Sequence, residues 1–179
     1  SRRRHPRSRR PGECSMSEKR VLFVCTGNSC RSVMAQYLLQ QKLQQAGLPS
    51  VHVSSAGIFP VEGMLPTRET QAVLQRAGID CSTHRAKPLT PEQVLEADLI
   101  LVMEGFQEEE LLRRFPSVRS KVHLLKAYGH SLEPVEGNPS IPDPIGKPLE
   151  VYEVCFDVIR EAVDRVAKSL GLRRGETVE

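Results

Sequence analysis

Val21-Leu-Phe-Val-Cys25-Thr-Gly-Asn-Ser-Cys30-Arg31-Ser32 is the stretch whose reading decides the fold. Four apolar residues, three of them β-branched or aromatic, run directly into a cysteine, a short glycine-containing loop, an arginine and a helix-compatible segment. A continuous apolar run of this kind reads as a strand covered on both faces. The loop behind it has the size and position of an anion cradle at a helix N-terminus.

Working outward, residues 31–46 read as a helix, because Met34/Leu38 and Ala35/Leu39/Leu43 recur four apart and Gly47 is placed to end it. Residues 51–53 alternate as a short strand that leads into Ser54-Ser55-Ala56-Gly57. Thr67 is a candidate cap for a helix running to Ala77 and closed by Gly78, and Thr90-Pro91-Glu92-Gln93 carries the signature of a capping box with proline at the first helical position. Residues 99–103 are uniformly apolar and read as a buried strand, 104–114 as a helix and 122–125 as a fourth strand. A Pro- and Gly-rich irregular region, 129–146, follows. The last helix, 148–170, is expected to place Val151, Val154, Cys155, Val158, Ala162 and Val166 on its packed face. Strands alternating with helices predict an α/β fold with a parallel, doubly wound sheet and ligands beyond the carboxyl ends of its strands, where Cys25 lies.

With 179 residues, 39% hydrophobic and 26% charged, the chain has the composition of one globular domain, and no internal repeat or second domain is visible. No apolar run approaches the roughly 18 residues of a membrane span, and no secretory signal is present, which reads as a cytoplasmic protein without a membrane partner. The net charge of +3 is carried by residues 1–15, where six arginines stand against Glu13 for a net +5, leaving the remaining chain at −2. Residues 1–15 are read as a basic leader ahead of a start at Met16, residues 16–172 as the domain, and 173–179 as a flexible tail. A mildly acidic body gives no reason to expect a nucleic-acid partner, and nothing in the pattern specifies an oligomeric state. Five cysteines (Cys14, Cys25, Cys30, Cys81, Cys155) form no C-x-x-C pair, so neither structural zinc nor a disulfide framework is expected. Reactivity at one of them is the better reading.

Backbone N–H groups from Thr26 through Gly27, Asn28, Ser29, Cys30 and Arg31 can curl around an anion, with Gly27 allowing close approach and the helix dipole adding positive potential. Arg31 offers a planar fork to two phosphate oxygens, so the pocket calls for no metal and no cofactor. Thiols at helix N-termini beside a cation are the reactive ones, and Cys25 is read as the nucleophile that forms a cysteinyl-phosphate. Leaving-group departure needs an acid from elsewhere. Asp143, locked in Ile141-Pro142-Asp143-Pro144, is the candidate, because flanking prolines hold the backbone extended and aim the side chain reproducibly.

These residues resemble the low-molecular-weight protein tyrosine phosphatase family. Cys25 to Ser32 matches its C-x5-R-S signature, residues 53–57 its second-strand segment, and Asp143-Pro144 its acid loop, in order across residues 20–170. The resemblance implies a flavodoxin-like, four-stranded parallel sheet and hydrolysis of a phosphorylated protein side chain. It further implies that Ser32 hydrogen-bonds Cys25, and that Asn28, Ser55 and His84 hold the loop in shape. Val33 and Gln36 depart from the Pro and Glu common at those positions.

Within the family, tyrosine-directed members carry tyrosines after the acid-loop Asp-Pro, whereas this chain has Ile145 and Gly146, and Phe59 is the one aromatic expected at the pocket wall. The loop CTGNSCRS is similar to the CTGNTCRS of protein arginine phosphatases, with Ser29 supplying the small hydroxyl. Phosphoarginine is therefore expected slightly ahead of phosphotyrosine. An arsenate reductase of the same fold is an alternative, although the two relay cysteines it needs after the third strand are missing. A non-catalytic phosphate-binding or redox-sensor module is another, and Asp143 argues against it. Cys30 is the candidate to trap Cys25 as a reversible disulfide.

Overall fold

A computed structural model describes residues 18–48, 50–130 and 137–171. The basic leader with Cys14, the C-terminal tail and residues 131–136 of the irregular region lie outside the described residues. Among the described residues the strands and α-helices run in the order β1 (Lys19–Cys25), α1 (Arg31–Gln45), β2 (Val51–Gly57), α2 (Arg68–Arg76), α3 (Pro91–Glu96), β3 (Leu99–Val102), α4 (Gly105–Arg114), β4 (Val122–Leu124) and α5 (Leu149–Ser169). All strand pairs are parallel, in the order β2-β1-β3-β4. The predicted parallel, doubly wound sheet is what forms.

The two faces of β1 show why its sequence is continuously apolar. Val21, Phe23 and Cys25 face one core with Leu99, Leu101 and Met103, covered by α1, α2 and α5. Leu22 and Val24 face the other with Ile100 and Val102, closed by Val94 of α3 and Leu111 of α4. Removing both faces of a strand from water is worth about 25 cal/mol per Å² of apolar surface, which is why the central strands carry no polar alternation. Cys25 sits at the carboxyl end of β1, opposite Gly57 in the register of β2.

Local signals behave as their chemistry requires. Thr67 accepts the N–H of Thr70 at the start of α2, and Thr90 and Gln93 form the reciprocal capping box of α3. Gly47 and Gly78 take positive φ at the ends of α1 and α2. Two features extend the reading and one corrects it. β2 runs through Ser54-Ser55-Ala56-Gly57, because pairing with the whole of β1 carries it past the point where its alternation fades. A 3₁₀ turn at Pro116–Lys121, not foreseen, leads into β4. In α5, Val151 and Val154 are exposed, Val154 by 65%, and the buried face is Tyr152, Cys155, Phe156, Ile159, Ala162, Val163, Val166 and Ala167. The helix carries two apolar stripes, and the one with two aromatic rings faces inward because it removes more surface from water.

Candidate active site

The phosphate loop spans the gap from β1 to α1, and its conformation is fixed mainly by Asn28. Asn28 is the only non-glycine among the described residues with positive φ, at 53°. Asparagine tolerates this region better than most residues, but the cost remains unless surroundings over-determine it. Here they do. The Asn28 N–H donates to Cys25 Sγ (3.3 Å), Nδ2 donates to Ser32 Oγ (2.8 Å) and Ser55 Oγ (2.9 Å), and Oδ1 accepts the Lys87 N–H (3.2 Å). The Asn28 carbonyl, an acceptor only, lies 3.1 Å from His84 Nε2, so that nitrogen carries the proton.

These partners set a direction for every proton in the network. Ser32 Oγ accepts from Asn28, which leaves its own proton for Cys25 Sγ at 2.9 Å. Ser55 Oγ likewise accepts from Asn28 and donates to Gln36 Oε1. Gln36 thus serves as a neutral acceptor at the position where glutamate is common in the resembled family. His84 is buried; burial, then the nearby Lys87 and Arg85, lower its pKa, while its bond to the Asn28 carbonyl raises it. Ring-edge packing on Tyr37, with centroids 5.9 Å apart, completes its seat. The left-handed position of the loop falls at Asn28, not at a glycine. The glycine that sterics require is Gly57, where a Cβ would come within 2.7 Å of the Thr26 carbonyl oxygen and 3.3 Å of Asn28 Cβ.

Arg31, at the first position of α1, is buried with its guanidinium already partly committed. Nη1 pairs with Glu104 and donates to the Ile141 carbonyl (2.7 Å). That leaves Nε and Nη2 for an anion. Asp143 reaches the same group, with Oδ2 3.6 Å from Nη2, while its Oδ1 accepts the Ile145 N–H (3.0 Å). The Ile141 N–H is tied in turn to the Met103 carbonyl at the end of β3 (2.8 Å), so a segment more than a hundred residues from Cys25 is anchored beside it.

Together Cys25, Thr26, Gly27, Ser29, Cys30, Arg31 and Asp143 line one cleft of about 270 Å³, walled by Phe59, Val61, Met64 and Ile145. Phe59 is the only aromatic ring in that lining, as expected, but three aliphatic side chains join it. Arg114 lies against Phe59, its guanidinium carbon 5.1 Å from the ring centroid. Among the described residues no group of three His, Cys, Asp or Glu is arranged to hold a metal ion. The cleft brings together a thiol with converging donors, a guanidinium and a carboxyl group, groups whose chemistry suits accepting a phosphoryl group on sulfur and protonating what leaves.

The model of the low molecular weight phosphotyrosine protein phosphatases matches residues 20–175. The chain belongs to that family. Its members are protein phosphatases, so this is an enzyme of the hydrolase class. It is 38% identical over 151 residues to a protein-arginine-phosphatase of Geobacillus stearothermophilus, covering 84% of this chain and 95% of the relative. A probable low molecular weight protein-tyrosine-phosphatase EpsP of Ralstonia nicotianae is 40% identical over 146 residues, covering 82% and 92%. Among solved structures, the YwlE arginine phosphatase of the same Geobacillus species superposes with a TM-score of 0.75 at 37% identity over 85% of this chain and 92% of that one. A YwlE arginine phosphatase mutant whose active site serine is phosphorylated gives a TM-score of 0.77 at 32% identity, covering 87% and 97%.

Several members of the site escaped sequence reasoning. Glu104 and Gln107 follow β3 at the start of α4; their E-x-x-Q spacing after a buried strand is a helix-start signal that could have been read, although its link to Arg31 could not. The backbone of residues 86–89 runs beside the end of β2, with Gly57 N–H donating to the Lys87 carbonyl (2.9 Å) and Leu89 N–H to the Gly57 carbonyl (3.0 Å). Pro88 holds Lys87 extended, which was the available sign. Cys30, the candidate disulfide partner, has its Sγ 3.6 Å from both Thr67 Oγ1 and Tyr152 Oη and 3.8 Å from Ser29 Oγ, and all four described cysteines are free thiols.

Proposed function

We propose that this enzyme removes phosphate from a protein side chain by two in-line transfers through Cys25, with phosphoarginine taken ahead of phosphotyrosine. The observation that carries the chemistry is the placing of Cys25 Sγ, with donors from Asn28 and Ser32, in one cleft with Arg31 and Asp143. The loop amides from Thr26 to Arg31 and the free edge of the Arg31 guanidinium bind the three non-bridging phosphate oxygens. The Cys25 sulfur attacks phosphorus, the bond to the side-chain nitrogen or oxygen breaks, and Asp143 gives its proton to the leaving atom. Water then attacks the cysteinyl-phosphate. Asp143 takes its proton, and inorganic phosphate leaves with the thiolate restored. The phosphorylated active site serine of the related arginine phosphatase mutant supports a phosphoryl group carried at this position.

Three features favour phosphoarginine. Ser29 contributes a hydroxyl to the cleft lining, and the residue after Asp143-Pro144 is an aliphatic Ile145, so a phenyl ring has only Phe59 to stack on. Relatives named protein-arginine-phosphatase occur in both Geobacillus stearothermophilus and Bacillus subtilis. On this reading Asp143 gives its proton to the departing guanidine nitrogen, which leaves as the arginine guanidinium, rather than to a phenolate oxygen. Peroxide, converting Cys25 to a sulfenic acid, would be answered by Cys30, which condenses with it to a disulfide and releases water. To do so the Cys30 thiol leaves the Thr67 and Tyr152 hydroxyls.

Turnover of matched phosphoarginine and phosphotyrosine peptides by wild-type protein and Ser29→Ile tests the substrate assignment. Wild type is expected to favour phosphoarginine, and Ser29→Ile to lower that preference by about tenfold, the scale of losing one polar contact in a specificity pocket. A wide wild-type preference for phosphotyrosine would overturn the assignment.

A further inference from the structure

Gln107 is fully buried at the third position of α4, and the mechanism above gives it no part. Its Oε1 accepts the N–H groups of Met103 (2.9 Å) and Glu104 (3.0 Å), where β3 turns into the helix. With the carbonyl end fixed by two donors, the amide can point only one way, and Nε2 donates to Thr26 Oγ1 at 3.1 Å. Thr26 is the residue after the nucleophile, and its carbonyl is held from the other side by the Phe59 N–H (3.0 Å). Glu104, whose backbone Gln107 secures, directs its carboxylate to Arg31.

One side chain therefore links both ends of the phosphate loop to the end of β3: Cys25 through Thr26, and Arg31 through Glu104. Capping the helix does not require this. The Oε1 contacts alone would do it, and a glutamate would supply them equally well. The Nε2 donor is the part of Gln107 that only the loop uses.

We propose that Gln107 is a positioning residue for phosphoryl transfer, holding Thr26 and with it the Cys25 sulfur in register with the Glu104-bound Arg31. The proposal rests on the phosphatase reading of the site. Its consequence is kinetic, because a nucleophile displaced by a fraction of an ångström from its line of attack loses rate, with about 1 Å worth on the order of 10²-fold. Ground-state phosphate binding through the loop amides is spread over many donors and is much less sensitive.

The test is steady-state hydrolysis of p-nitrophenyl phosphate by wild type, Thr26→Ser, Thr26→Val, Gln107→Leu and the Gln107→Leu/Thr26→Val double variant, with thermal unfolding on the same samples. Thr26→Val and Gln107→Leu are each expected to lower kcat by about tenfold while KM stays within about twofold, and Thr26→Ser, which keeps the hydroxyl, to regain most of the kcat that Thr26→Val loses. The double variant is expected to be no slower than the slower single one, since both remove the same tether. Thr26→Val leaves the helix cap intact and so carries the test even where Gln107→Leu lowers Tm or fails to fold. Wild-type kcat in Thr26→Val, a rise in KM at constant kcat, or multiplying losses in the double variant would each overturn the proposal. Wild-type protein without turnover would bring down the phosphatase reading along with it, whereas the other outcomes leave that reading standing.

Discussion

The phosphate loop and the acid loop meet across one cleft and are built in opposite ways. In the phosphate loop Cys25, Asn28, Ser29, Cys30, Arg31 and Ser32 are all buried, and every polar group of the strained Asn28 has a partner. In the acid loop the Asp143 side chain is 39% exposed and Ile145 is exposed, with one side-chain-to-backbone bond and two flanking prolines to set their direction. On the proposed mechanism, the half that binds the unvarying phosphate is over-determined, and the half that meets the leaving group keeps some freedom. A buried cradle needs no reorganisation when charge develops on the phosphoryl oxygens. An acid that must first protonate a leaving group and then activate water at the same place gains from the space to do both.

That contrast can be broken most severely at Cys25. Cys25→Ser keeps the cradle and replaces only the sulfur, so turnover is expected to fall by at least about 10³-fold while phosphate still binds, as isothermal titration would show. Substantial remaining hydrolysis would remove Cys25 from its role. Asp143→Asn should cost less, about 10²–10⁴-fold in kcat, the usual contribution of a general acid, with KM unchanged or lower because a neutral amide no longer competes for Arg31 Nη2 at 3.6 Å. Rapid-quench measurement of the phosphorylation step separates the two variants. An Asp143→Asn rate equal to that of wild type would mean the exposed half contributes no acid.

How much of this was legible in the sequence follows the same division. The strand-loop-helix around Cys25 could be read because its signals are local: an apolar run, a short loop and a helical period. Asp143 could be proposed because two prolines mark a stiff segment, although its approach to Arg31 is a product of chain topology. The network that shapes the loop was reachable only through family resemblance, since Asn28, Ser55 and His84 are brought together by β-sheet register and by the backbone of residues 86–89 beside the end of β2. Glu104 and Gln107 were invisible for the same reason: a helix-start signal says nothing about which neighbouring loop its side chains touch. The error in α5 is of another kind. Val151 and Val154 fit a helical stripe as well as Tyr152 and Phe156 do, and only the partner surface decides between two stripes on one helix.

His84 gives the smallest of these effects and tests the rigid half through stability rather than rate. Its Nε2–H donates to the Asn28 carbonyl, and burial, reinforced by Lys87 and Arg85, lowers its pKa against the pull of that bond. In the unfolded chain a histidine titrates near 6.5. Below that pH the unfolded state takes up a proton that the folded state refuses until a lower pH is reached, so the unfolded state binds more protons and stability falls as pH falls. The contribution is fully present above about pH 6.5 and is lost on acidification toward the folded-state value, at no more than about 1.4 kcal/mol per pH unit for one proton. Tyr37, packed edge-on against the ring, has its own pKa raised, chiefly by burial, and stays uncharged throughout this range. His84→Gln keeps a neutral N–H donor and cannot titrate. Urea unfolding between pH 7.5 and 5 is therefore expected to show wild type losing more stability than His84→Gln, with the two curves parallel above pH 7. Curves that stay parallel down to pH 5 would show that the loop's anchor does not depend on a neutral imidazole.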